Sequence, residues 1–181
     1  MTTTRFYTAT SLDGYIADPD NSLEWLFAVP GASTAEEDTA ELVAKTGAMC
    51  MGATTYEWML AHDEPGQWEQ GYGERPCWVF THRDLPALPG ANLHFVADDV
   101  RAVHAAMVAA AGGRDIWVIG GGDLAGQFAD AGLLDEVVAA VAPVTLGGGA
   151  PLLPRRLLSD RLTLTEVRQI EQFAMLTYRV G

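Results

Sequence analysis

The sequence predicts an α/β fold of three layers, with a mostly parallel central sheet and a C-terminal antiparallel hairpin. Three observations carry that reading. Short apolar runs at 48–51, 76–80, 93–96 and 116–119 alternate with helical stretches, the pattern of strands covered on both faces. The first and last of these runs pass through glycine straight into a helix. Residues 162–169 and 173–180 alternate apolar with polar around Ile170-Glu171-Gln172, which reads as two antiparallel strands. One domain over residues 1–181 is expected, large enough to bury its own core.

Residues 5–10, with Phe6 and Tyr7, form the expected first strand. Asp13-Gly14 turns the chain into a second short extended piece at 15–17, and 18–21 is loop. Leu23, Trp25, Leu26 and Phe27 make an apolar cluster too short to classify. Ser33 or Thr34 caps a helix running to about Lys45, with Glu36, Glu37 and Asp38 in the first turn, where the helix dipole favours acids. Gly47 is expected to end that helix in the left-handed conformation. After the strand at 48–51, Gly52-Ala53-Thr54-Thr55 opens a helix through Leu60. The glycine-rich stretch 64–75 reads as loop. Strands at 76–80 and 93–96 follow, and Asp98 caps an alanine-rich helix that Gly112-Gly113 stops. The apolar run 137–144 includes Pro143, which suggests an edge strand or a late bulge. Residues 151–158 read as irregular.

Composition narrows the function. A net charge of −13 with Lys45 as the only lysine argues against nucleic acid and anionic membranes as partners. No run reaches membrane-spanning length and no leader pattern opens the chain, so cytoplasm is the expected location. Cys50 and Cys77 sit in apolar runs without metal or disulfide spacing and read as reduced core thiols. No metal site is expected.

The chemistry gathers at strand ends. Gly120-Gly121-Gly122 follows Ile119 and leads into Asp123-Leu124, so bare backbone meets the positive end of a helix dipole, a ready anion site. Gly52 to Thr55 repeats the arrangement, and the strand at 76–80 ends in Thr81-His82-Arg83. If the three strands are neighbours, these groups share one crevice at the carboxyl edge of the sheet. A Rossmann site fits poorly. Gly120, Gly122 and Ala125 match the relaxed glycine spacing, but no acid closes the apolar run that follows.

The residues resemble a known superfamily. Ile116 to Gly122 with Gln127-Phe128 is similar to the cofactor strand and helix of dihydrofolate reductases, and Met51 to Glu57 to their other nucleotide turn. Ser11 to Ala17, Leu134-Asp135-Glu136, Ala142-Pro143-Val144 and Leu146 to Gly149 look more like the reductase domain that ends the bifunctional riboflavin-biosynthesis deaminase-reductases. The resemblance covers nearly the whole chain and implies a dihydrofolate-reductase-like fold. It further implies an NADPH-dependent reductase of a flat heterocycle, of the kind that acts on dihydrofolate or 5-amino-6-(5-phosphoribosylamino)uracil.

In that reading Gly52, Ala53, Thr54, Thr55 and Ile119 to Leu124 (Gly120, Gly121, Gly122 and Asp123 among them) hold the cofactor's pyrophosphate. Thr81, His82 and Arg83 take the adenosine phosphate end, and Ala9, Ile16 and Ala17 line the nicotinamide side. A cis peptide between Gly120 and Gly121 and a homodimer are also implied, the latter through 137–144 and the hairpin. Both branches commonly carry arginine where this chain has Ala53, which leaves NADH possible. The riboflavin branch has lysine where Tyr15 stands, and the deaminase half is absent. Candidates for the catalytic acid are Asp13, Glu37 and Asp38, with Glu41 nearby, and for stacking on substrate Trp25 and Tyr56. The alternative is a nucleotide-binding protein of the same fold with little or no turnover, acting as a sensor or interaction module.

Overall fold

Among the described residues, ten strands and six helices form where the periodicities change. The computed structural model describes residues 1–32, 35–62, 64 and 66–181, the side chains of 35–38 excepted. In chain order the strands are Thr4–Thr10 (β1), Tyr15–Ala17 (β2), Thr46–Gly52 (β3), Cys77–Phe80 (β4), Leu93–Val96 (β5) and Asp115–Gly120 (β6). Glu136–Val141 (β7), Ala150–Pro151 (β8), Leu162–Ile170 (β9) and Phe173–Val180 (β10) complete them. The helices are Glu24–Phe27 (α1), Ala35–Lys45 (α2), Ala53–His62 (α3), Gln67–Tyr72 (α4), Val100–Ala111 (α5) and Gly122–Asp130 (α6).

Eight strands make one sheet in the order β5-β4-β3-β6-β1-β7-β10-β9, and β2 pairs with β8 in a separate ribbon. Neighbours from β5 to β7 run parallel; β10 is antiparallel to both β7 and β9. The predicted fold class is therefore the observed one.

Alternation along β3 sorts its side chains to two faces. Ala48 and Cys50 pack under α5 and α6 with Val103, Met107 and Phe128. Met49 and Met51 face the opposite layer, beside Leu42 of α2, Tyr56 of α3 and Trp68 of α4. On that same side Trp25 and Leu26 of α1 cover Val138, Ala140, Phe173 and Met175. Cys50 and Cys77 are fully buried in opposite layers, and burial pushes both thiols up.

Several local expectations are corrected. Gly47 does not cap α2; it lies inside β3, where a Cβ would meet the Ala111 carbonyl oxygen at 2.1 Å. Close approach to the end of α5, not left-handed backbone, is what demands glycine there. The stretch read as loop contains α4, which Trp68 anchors by burial. Asp99, one residue beyond Asp98, caps α5 by accepting from the Arg101 N–H. Pro143 lies beyond the end of β7, and β7 is interior, between β1 and β10. Val137 to Ala140 are buried within the chain, which leaves them no exposed face for a dimer. Only Pro151 of the stretch read as irregular is in a strand, as the second residue of β8. The cap proposed at Ser33 or Thr34 lies outside the described residues. Among the described residues no helix is long and apolar enough to cross a membrane, and no His, Cys, Asp or Glu cluster suits a metal.

Candidate active site

Two turns meet at the carboxyl edge of the sheet. β3 and β6 are parallel neighbours, but β3 leads to α3 on one face and β6 to α6 on the other. Diverging helices leave a crevice above the two strand ends, the place where open α/β sheets bind ligands. The fit there is close. A methyl group on Gly52 would lie 3.8 Å from the Gly121 nitrogen, and one on Gly120 would lie 3.0 Å from Thr55 Oγ1. The Gly120–Gly121 peptide is cis. Gly121 is the N-cap of α6 and supplies no side-chain cap, so the first N–H groups of the helix stay open to an incoming acceptor. The bare glycine floor, open helix end and threonine hydroxyls suit the pyrophosphate of a dinucleotide.

β4 is next to β3, so Thr81, His82 and Arg83 join the same edge. Thr81 Oγ1 accepts from the Arg83 N–H at 2.9 Å, shaping the turn. The Arg83 guanidinium grips Glu57 of α3 through two bonds, 2.7 and 2.8 Å long. The cation expected to be free for a phosphate is thus already partnered. Ala9, Ile16 and Ala17 are partly buried at the ends of β1 and β2. Ala9 flanks the cluster that Trp25 also flanks.

Trp25 is the better of the two aromatic candidates. Its ring is partly buried, and its indole N–H is buried without a hydrogen-bond partner among the described residues. Tyr56 is a core residue. It is fully buried, donates to the Pro86 carbonyl at 2.7 Å and accepts from the Leu88 N–H at 3.1 Å, so it offers no face to a substrate. Asp13 is likewise corrected. Its carboxylate accepts from Ser11 Oγ at 2.6 Å and from the Leu146 and Gly147 N–H groups. These bonds hold it down at about 2, so near neutrality it is an anion that ties two turns together and has no proton to give. The side chains of Glu37 and Asp38 lie outside the described residues. Among the described residues no carboxylate is buried.

Residues 70–176, more than half the chain, match the RibD C-terminal domain. The chain belongs to that family. YwjB of Bacillus subtilis (strain 168), an uncharacterized protein, is 29% identical over 177 residues, 97% of this chain and 96% of that one. A Shewanella sp. PV-4 protein provisionally assigned to riboflavin biosynthesis has a solved structure 25% identical to this chain. It superposes with a TM-score of 0.76, covering 99% of both chains. At 14% identity the fold is shared with a Thermotoga maritima diaminohydroxyphosphoribosylaminopyrimidine deaminase/5-amino-6-(5-phosphoribosylamino)uracil reductase. There the TM-score is 0.71, with 99% of this chain and 57% of that one covered. Also at 14%, Enterococcus faecalis dihydrofolate reductase in complex with NADP(H) gives 0.63, covering 99% and 96%.

This RibD C-terminal domain has site features that sequence reading passed over. The segment 150–157 crosses α6 as a strap. A Cβ on Gly122 would come within 2.3 Å of the Pro151 and Leu152 carbonyl oxygens, so the strap rests directly on the first residue of the helix. Arg155 pins it by pairing with Asp123 at 3.0 Å and Asp130 at 2.7 Å. The signal was the seven-residue spacing of the two acids, with glycine between them, and the lone Arg155-Arg156 pair. Phe27 stacks on Trp58, and Trp58 on His62, extending an aromatic surface along α3.

Proposed function

We propose that the protein is an NAD(P)H-dependent reductase, with NADPH the expected donor and NADH an alternative, that reduces a flat pyrimidine- or pteridine-like heterocycle. The observation that carries the reading is the meeting of Gly52–Thr55 with the Gly120–Gly121 turn at one crevice, in a chain of this family. Gly120 to Leu124, with Ile119 before them, and Gly52 to Thr55 would hold the pyrophosphate. Thr81, His82 and Arg83 would meet the adenosine phosphate end, and Ala9, Ile16 and Ala17 the nicotinamide side. The reduced nicotinamide supplies a hydride; the protein's part is to hold donor and acceptor close and dry. Trp25, with its unpartnered N–H, would orient the heterocycle. With Asp13 committed to its turn, the proton would reach the reduced ring from water or from Glu37 or Asp38.

Asp13's commitment also favours a second reading, a nucleotide-binding protein with little or no turnover. One domain over 1–181 is proposed, since β1 and β10 belong to the same sheet. A cytoplasmic homodimer is proposed as well, using the edge strand β9, where Leu164 and Val167 are exposed. Sedimentation should show a dimer that Val167→Asp separates into monomers; a monomeric wild type rejects it.

The test is titration with NADPH and with NADH, followed by tryptophan quenching. Trp117 on β6, three residues before Gly120, is a built-in reporter. Saturable binding, then consumption of NADPH with a dihydropteridine or aminouracil substrate, supports the reductase. Binding without turnover supports the second reading. No binding of either nucleotide at millimolar concentration refutes both.

A further inference from the structure

We propose that Arg155 is a cofactor-positioning residue: by pairing with Asp123 and offsetting its charge it lets an anionic pyrophosphate approach the first turn of α6. The inference rests on the dinucleotide reading of the crevice. Asp123, Gly126 and Asp130 recur every three or four residues and so share one stripe of the helix. Arg155 lies along that stripe. Its Nη2 meets Asp123 Oδ1 at 3.0 Å, its Nε meets Asp130 Oδ2 at 2.7 Å, and its Nη1 donates to the Pro154 carbonyl at 2.9 Å. Glycine at 126 makes room. A methyl group there would sit 2.8 Å from Arg155 Cγ and Cζ.

The electrostatic need is specific. Asp123 stands in the first turn, where the dipole that attracts a phosphate also stabilises a carboxylate. Two anions cannot both gain fully from the same helix end. Arg83, the other cation named at this edge, is held by Glu57. Arg155, shared between Asp123 and Asp130, offsets part of the carboxylate's charge without blocking the N–H groups, because it approaches from the side of the helix and not from its end. An uncancelled charge a few ångströms from a phosphate weakens binding roughly three- to tenfold when water screens the pair at its bulk dielectric, and salt reduces the effect.

A double-mutant cycle on the whole protein tests this, with NADPH affinity read by tryptophan quenching at low and high salt. Arg155→Met keeps the packing over Gly126 and is expected to weaken NADPH binding about five- to tenfold at low salt, less at high salt. Arg155→Gln, which keeps donors for the strap but not the charge, should weaken it equally. Asp123→Asn removes the charge and keeps the backbone N–H of the first turn, so it should bind NADPH more tightly than wild type. The pair Arg155→Met with Asp123→Asn should return to within about twofold of wild type. A double variant as weak as Arg155→Met overturns the proposal, because Arg155 would then be touching phosphate itself or merely fastening the strap. Unchanged binding by Arg155→Met, with wild type binding normally, also overturns it. Failure of wild type to bind NADPH would instead overturn the dinucleotide reading underneath.

Discussion

Replacing Gly122 by alanine is expected to destabilise the protein even though the helix gains a better helix former. The new Cβ would sit 2.3 Å from two carbonyl oxygens, those of Pro151 and Leu152. Both are backbone atoms, so no side-chain rotation relieves the overlap. The strap has to retreat by about 0.7 Å to reach even a 3.0 Å contact. Overpacking of this kind costs ~1–3 kcal/mol, and alanine's helix propensity offsets up to ~1 kcal/mol of it. A net loss of ~1–2 kcal/mol corresponds to a melting temperature lower by about 2–8 °C for a chain of this length. Circular dichroism melts of wild type and Gly122→Ala measure it. Gly71→Ala is the control, because a Cβ there meets nothing within 4 Å, and it should melt at or slightly above wild type. The strap also carries Arg155, so Gly122→Ala should weaken NADPH binding as well. A Gly122→Ala protein that melts with or above wild type would show that the strap is not seated on α6.

Three further outcomes follow from the site. The Asp13 carboxyl ionises well below its ordinary value, so the stability it contributes is complete above about pH 3.8 and is lost as pH falls through about 2. Acid melts should show that loss in wild type and not in Asp13→Asn, whose turnover near neutrality should stay within about threefold of wild type; a collapse in turnover would restore Asp13 as the acid. Tyr56→Phe strands the Pro86 carbonyl and the Leu88 N–H, at ~1–3 kcal/mol by urea denaturation, with substrate KM unchanged; a raised KM would place Tyr56 in the pocket after all. Glu57→Gln should release Arg83 and tighten NADPH several-fold while leaving NADH alone, and Arg83→Ala should do the reverse; equal effects on both nucleotides would remove Arg83 from the 2′-phosphate.

Local pattern made much of this readable. β6 and the glycines after it announce themselves within ten residues, and so does the turn from β3 into α3. Their meeting at one crevice needed only that β3 and β6 be neighbours. What escaped depends on distant partners. Gly47 looks like a helix stop until Ala111, far along the chain, is seen against it. Along α3, Tyr56, Trp58, Met59 and Leu60 are apolar on several sides, so sequence alone does not say which of them the core takes. α4 is short, holds Gly71 and is bracketed by Gly66 and Gly73; burial of Trp68, a tertiary effect, makes it a helix. Arg83 and Glu57 are separated by 26 positions, and Arg155 and Asp130 by 25. No periodicity spans such gaps.

The place of β1 in the sheet bears on synthesis. Its hydrogen-bonding neighbours are β6 and β7, so the first strand to leave the ribosome pairs only with strands made more than a hundred residues later. At about 5–20 residues per second, Phe6 and its neighbours wait roughly 5–20 s for a partner. β3, β4 and β5 can associate sooner, since each borders the next. The nascent chain thus assembles the β3–β4–β5 flank before β1 can join through β6, and only then can β7, β10 and β9 extend the sheet from β1.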